Sequence, residues 1–256
     1  MESLPNIAVP QGRGRTRGRH RQPAVVSHEG APSDPLYTLH PKAIWRYLKT
    51  QPLSFWCINA YLLFEYVRPQ TVYTAIDILP WALLTILLSL VTFLWEGKMF
   101  RLGTVADGAL CIFALILVLS SVQAFRPAVA YENMELFFSW FLIYLLIANI
   151  VTTERRFLVF MLAFLLYSFK MSQHATRSWA GAGFAFRDWG VTGAPGWFHN
   201  SGEFGIQMTI FLPLAVYFAV GLRKHWGLVA KVLVGGMVST AVIGTIGSSS
   251  RGAMLG

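Results

Sequence analysis

The chain has 256 residues, 55% of them hydrophobic and only 13% charged, with a net charge of +9. The charges sit in narrow bands between long apolar runs, which excludes a soluble globular enzyme: a helix crossing about 30 Å of hydrocarbon needs roughly 20 mostly apolar residues. The positive balance needs no nucleic acid to explain it, because a basic tail on a membrane protein accounts for it.

In chain order, residues 1–50 are expected to form a basic, disordered cytoplasmic tail. Pro, Gly and Ser run through residues 1–41, too polar and too broken to bury a core. Residues 12–21 read GRGRTRGRHR, which looks like an RNA-binding arginine tract. Ahead of several membrane spans it reads as a solvated tail, and no nucleic-acid partner is expected. No cleavable signal sequence is visible, since the first apolar run begins past residue 50.

Residues 51–256 are predicted to be an all-α, polytopic transmembrane helix bundle. The runs 53–67, 78–95, 105–124, 136–151, 157–169, 204–221 and 228–246 give seven complete spans, followed by the start of an eighth. The first and fifth are short and reach spanning length only with their flanks, where Glu65, Arg68 and Lys170 extend to the interface. Cys57 and Cys111 lie inside apolar runs and read as core thiols, with neither a disulfide nor a metal expected.

Cytoplasmic loops carry an excess of Lys and Arg. With the N-terminus inside and the spans alternating, the inside segments hold Arg13, Arg15, Arg17, Arg19, Arg21, Lys42, Arg46, Lys49, Lys98, Arg101, Arg155, Arg156, Arg223, Lys224 and Lys231. The outside segments hold Arg68, Arg126, Lys170, Arg177, Arg187 and Arg251. The expectation is therefore a multi-pass protein with a cytoplasmic N-terminus and Arg251 on the outer face.

The longest predicted connection is residues 170–202, on that outer face. Its tryptophans, Trp179, Trp189 and Trp197, suit either interfacial anchoring or stacking on sugar rings. His174 and His199 lack acidic or cysteine companions at ligand spacing, so no metal site is expected. Asn200 stands three residues before Glu203, a capping-box spacing that opens the next span. A helix start at the outer face suits an anionic group, and Glu203 is placed to orient a neighbouring arginine.

The sharpest feature is GSSSRG, residues 247–252. Arg251 has a planar fork matched to phosphate oxygens, and Ser249, Ser250 and Gly252 give it a hydroxyl-rich, glycine-flanked turn. No nucleotide-binding glycine motif surrounds it. A phosphate at the outer face of a membrane points to a lipid-linked phosphate. Arg177 and Arg187 are outer-side charges close enough in sequence to join Arg251 around such a group.

Three segments carry a family resemblance: EYVRPQ at residues 65–70, FHNSGEFGIQMTIFLPLAVYF at 198–218, and SSSRGAML at 248–255. From about residue 50 onward the chain resembles the bacterial O-antigen ligase family, closest to the branch of putative O-glycosylation ligases of exosortase systems. The resemblance implies a metal-independent inner-membrane glycosyltransferase of GT-C-like architecture that needs no cofactor. It implies transfer of a glycan from undecaprenyl diphosphate to a lipid A-core or protein acceptor at the periplasmic face. Arg251 takes the position of the family's pyrophosphate-binding arginine. Family members run longer, with the large loop that carries the base after this motif, so the chain is expected to be the N-terminal part of such a ligase and inactive by itself. Two alternatives stay open: an O-antigen polymerase of the same architecture, and a transporter or permease for a small anion.

Overall fold

The computed structural model describes residues 35–186, 190–193, 198 and 200–255. These residues form helices and turns with no strand among them. The chain-order elements are α1 (Pro41–Lys49), α2 (Leu53–Leu62), α3 (Pro69–Val72), α4 (Trp81–Trp95), α5 (Val105–Val122), α6 (Pro127–Ile150), α7 (Glu154–Gly181), α8 (Ser201–Leu222), α9 (Leu228–Gly247) and α10 (Arg251–Leu255). Five of them, α5 to α9, are long and apolar enough to cross a membrane, while α2 with its continuation and α4 are shorter apolar helices.

The outward faces are what a bilayer requires. Ile112, Leu115, Phe125, Val229 and Tyr217 are all more than half exposed, which water would penalise and lipid does not. Association therefore rests on close packing and interior hydrogen bonds. In α9, Gly236, Thr240, Gly244 and Gly247 form a small-residue stripe, and Met208 and Phe204 of α8 close onto Gly244. Ser172 of α7 and Thr240 of α9 share a 2.8 Å hydrogen bond, and the amide of buried Gln207 donates to Ser168. Pro213 lies inside α8, where it removes one ladder donor from a helix supported by its neighbours.

The element boundaries differ from the sequence expectation at three places. Helix α6 begins at Pro127, nine residues before the predicted run, because proline suits the first helical turn and residues 131–135 continue the helix despite their charges. Helix α7 runs on to Gly181, so the expected connection from residue 170 is helical for its first part. The Lys170 ammonium donates to the Val67 carbonyl at 2.9 Å, where α2 widens over residues 63–67 and ends on Arg68 in the left-handed region (φ 48°). Residues 35–50, expected to lack a fold, contain a turn and the amphipathic helix α1, since Ala43, Ile44, Tyr47 and Leu48 find apolar partners in the bundle. Residues 1–34 lie outside the described residues. Cys57 is buried as expected, but Cys111 is on the exposed face of α5; both are free.

One end of the bundle is rich in cations. Trp226 donates to the Tyr37 carbonyl, Arg156 donates to Gln51 and to the Ile150 carbonyl, and Arg101 N–H donates to Asn149. These contacts bring the starts of α1, α2, α7 and α9 together with the ends of α4, α6 and α8, hence Lys98, Arg101, Arg155, Arg156, Arg223 and Lys224 to one side. Alternation along α2 and α4 to α9 then leaves the end of α9, and with it Arg251, on the other.

Glu96 ties α4 to α2 at the basic end. Ser54 donates from its backbone N–H (3.0 Å) and its hydroxyl (2.7 Å) to the two carboxylate oxygens, and Lys98 pairs with the same group. Burial acts to raise the Glu96 pKa, but the hydrogen bonds from Lys98 and Ser54 outweigh it and hold the carboxyl below its usual value. A carboxylate with a depressed folded-state pKa stabilises the fold above its unfolded pKa, about 4.3, and loses that contribution as pH falls through the folded value. Glu96→Gln is therefore expected to cost about 1 kcal/mol at neutral pH. Its melting temperature in detergent should converge with wild type as pH falls below the depressed folded-state pKa of Glu96.

Candidate functional site

Helix α9 ends with Ser248, whose N–H donates to the Gly244 carbonyl, and then turns sharply. Ser249 adopts the left-handed conformation (φ 53°) that commonly terminates helices and that glycine normally supplies. Holding serine there costs roughly 1 kcal/mol, and such strain concentrates at functional turns. Ser249→Gly should raise stability by about that amount, read as a higher melting temperature.

The three serines divide their work. Ser248 is fully buried and its hydroxyl donates to the Thr245 carbonyl. The Ser250 hydroxyl accepts the Ala253 N–H at 3.4 Å, capping α10. Ser249 alone is exposed, beside exposed Arg251 and Gly252. The turn is thus held from within. Arg251 takes part in no ion pair or side-chain hydrogen bond among the described residues, so its guanidinium is open to a ligand.

Two neighbours fix this turn. A Cβ on Gly205 of α8 would sit 2.7 Å from Ala253 Cβ and 2.8 Å from Ser248 Oγ, so only glycine admits the approach, and Thr209 Oγ1 one turn later donates to the Ala253 carbonyl. On the other side, Gly190 (φ 89°) lies against the Ser248 carbonyl, and Val191 N–H donates to the Gly247 carbonyl at 2.9 Å.

The remaining candidates are only partly drawn together. Asn200 caps α8, but its side chain accepts the N–H of Gly202 at 2.8 Å, one residue short of the capping-box partner. Glu203 is exposed on the first turn of α8, and Arg177 is exposed on the last turns of α7. Both lie at the Arg251 end, yet no ion pair or hydrogen bond joins either to Arg251. Arg187, like Trp189, Trp197 and His199, lies outside the described residues. His174 is exposed on α7, and no cluster of His, Cys, Asp or Glu suited to a metal occurs among the described residues.

Sequence spacing did not point to the pocket beside the turn. Its volume is about 180 Å³, and Trp179, Phe186, Ser178, Thr192, Gly190 and Gly247 line it. Trp179 packs on Gly247 and edge-on against Phe184, with ring centroids 5.3 Å apart. Its indole N–H is buried and has no hydrogen-bond partner among the described residues. No family model, curated protein or solved structure matches the chain. An exposed guanidinium, an exposed hydroxyl and an aromatic pocket share one end of a membrane bundle, a combination able to hold an anionic group joined to a ring.

Proposed function

We propose that this protein transfers a glycan from an undecaprenyl-diphosphate carrier to a lipid or protein acceptor at the outer face of the bacterial inner membrane. The observation that carries the reading is Arg251, exposed and without an internal partner on a turn that two glycine contacts and two serine hydroxyls hold in place. A diphosphate leaving group gathers charge as its bond to the glycosyl C1 breaks, and a fixed cation stabilises that charge. Trp179 and Phe186 line the adjoining pocket and offer aromatic surface to a sugar.

The charge distribution supports an orientation with the basic end in the cytoplasm. Seven membrane passes follow if α2 and α4 cross with the five longer helices, as the GT-C-like reading requires. Metal and nucleotide sugar have no part in this reaction; the acceptor's proton goes to a base that the described residues do not identify. A polymerase of the same architecture would use Arg251 in the same way.

One observation favours a different class. Helix α2 also widens and breaks at a left-handed residue, Arg68, before the short α3, much as α9 breaks at Ser249 before α10. Paired broken helices occur in transporters. Glycan transfer measured in a strain lacking its own ligase separates the two: transfer that depends on Arg251 supports the ligase, and anion uptake without transfer supports the permease.

A further inference from the structure

Helix α1 lies at the end of the bundle opposite Arg251 and takes no part in the proposed transfer. Lys42, Arg46 and Lys49 recur at spacings of four and three, which places them on one stripe of the helix. All three are exposed, and Lys49 Nζ lies 5.4 Å from the centroid of the Trp45 ring. The opposite side of α1, through Ile44 and Leu48, packs into the bundle. The nearby carboxylates are already engaged, Glu96 by Ser54 and Lys98, and Glu154 by the Tyr37 hydroxyl. None of the three cations forms an ion pair among the described residues.

Beside this stripe, a groove of about 540 Å³ runs between α1, α7 and α9. Ile44, Leu48, Leu162, Leu166 and Leu233 make it almost wholly apolar, and half-exposed Trp45 also lines it. Trp45 joins the two, lining the groove while Lys49 lies over its ring, and cations at the edge of an apolar groove match a molecule with an anionic head and a hydrocarbon tail. A second copy of the chain fits poorly, since it would bring a like-charged stripe to the first.

We propose that α1 and this groove form a binding site for an anionic phospholipid, its phosphate on Lys42, Arg46 and Lys49 and an acyl chain against Ile44, Leu166 and Leu233. Each cation near an anionic surface contributes about 1 kcal/mol, so removing three should weaken the preference for anionic over zwitterionic lipid roughly a hundredfold.

The test uses the purified protein in phosphatidylcholine bilayers containing either chain-brominated phosphatidylglycerol or chain-brominated phosphatidylcholine. Trp45 fluorescence is isolated as the difference between wild type and Trp45→Phe. Brominated phosphatidylglycerol should quench that signal at a much lower mole fraction than the zwitterionic lipid. Raising the ionic strength should reduce the difference. Lys42→Gln with Arg46→Gln and Lys49→Gln should abolish it, and the charge-retaining set Lys42→Arg, Arg46→Lys and Lys49→Arg should keep it. Ala230→Phe, which fills the groove wall, should lower quenching by the brominated chain. Equal quenching of wild type by both lipids overturns the site, as does a preference that survives high salt and charge removal. If the triple glutamine variant does not insert, the salt titration of wild type decides alone. An acidic protein occupying α1 in place of lipid would also overturn it. The readout contains no transfer step, so failure here leaves the ligase reading untouched, and the converse holds.

Discussion

Arg251→Ala is expected to reduce glycan transfer by 10² to 10³-fold, about the loss seen when one preorganised group that stabilises developing negative charge is removed. The same substitution should barely affect folding. Arg251 is exposed and has no internal partner among the described residues, so its removal should change stability by less than about 0.5 kcal/mol. This separation of effects makes the experiment decisive. Cells lacking their own ligase and expressing the protein would be assayed for glycan moved from undecaprenyl diphosphate, with membrane levels of the two proteins compared by immunoblot. Arg251→Lys should fall between them, because an ammonium keeps the charge but loses the planar fork that meets two phosphate oxygens. Full activity in the alanine variant would leave the guanidinium as an ordinary surface cation and remove the main support for the diphosphate site.

Gly205→Leu should be the most damaging substitution at the site that leaves its chemistry unchanged. Even a methyl group at this position would meet Ala253 Cβ at 2.7 Å, Ser248 Oγ at 2.8 Å and Ser250 Cβ at 3.2 Å. None of these can swing aside, because Ser248 is buried and hydrogen-bonded and Ala253 is buried in α10. Helix α8 must move away from the α9–α10 turn or the turn must unwind. Overpacking costs about 1 to 3 kcal/mol for smaller insertions, and leucine belongs at or beyond the top of that range. Better helix propensity returns about 1 kcal/mol of it. The expected result is a melting temperature well below wild type in detergent, with transfer lost as Arg251 shifts. Gly108→Ala is the control. Nothing lies within 4 Å of a Cβ there, so that variant should match or exceed wild type in both measurements. A Gly205→Leu protein that melts and transfers normally would mean that the close contact with α10 does not position Arg251.

How far the sequence led depends on the element. Every predicted apolar run lies in or mainly in a helix of the structure, because a hydrocarbon environment leaves the backbone little alternative and the signal is simple composition. Boundaries were harder to read. Charged residues 131–135 looked like a loop and belong to α6, and residues 170–181 looked like a connection and belong to α7. In α7 packing of Met171, Ser172 and Ala175 prevails over local polarity, whereas residues 131–135 are mostly exposed and simply continue the α6 hydrogen-bond ladder. The order within residues 35–50 also went unread, since α1 depends on partners more than 100 residues away, such as Leu162 and Trp226.

The sequence alone determined a helical membrane protein, the unequal sharing of its cations between alternate loops, and the choice of Arg251 as the residue to examine. All three follow from residue type and spacing, which local chemistry is enough to interpret. Only the tertiary structure decided what surrounds that arginine. It turned Ser248 inward, made Ser250 a cap, left Ser249 strained and exposed, and set Trp179 against Gly247 to wall a pocket. Those outcomes depend on approaches between α7, α8 and α9 of a few ångströms, set by glycines whose importance shows only when their neighbours are in place.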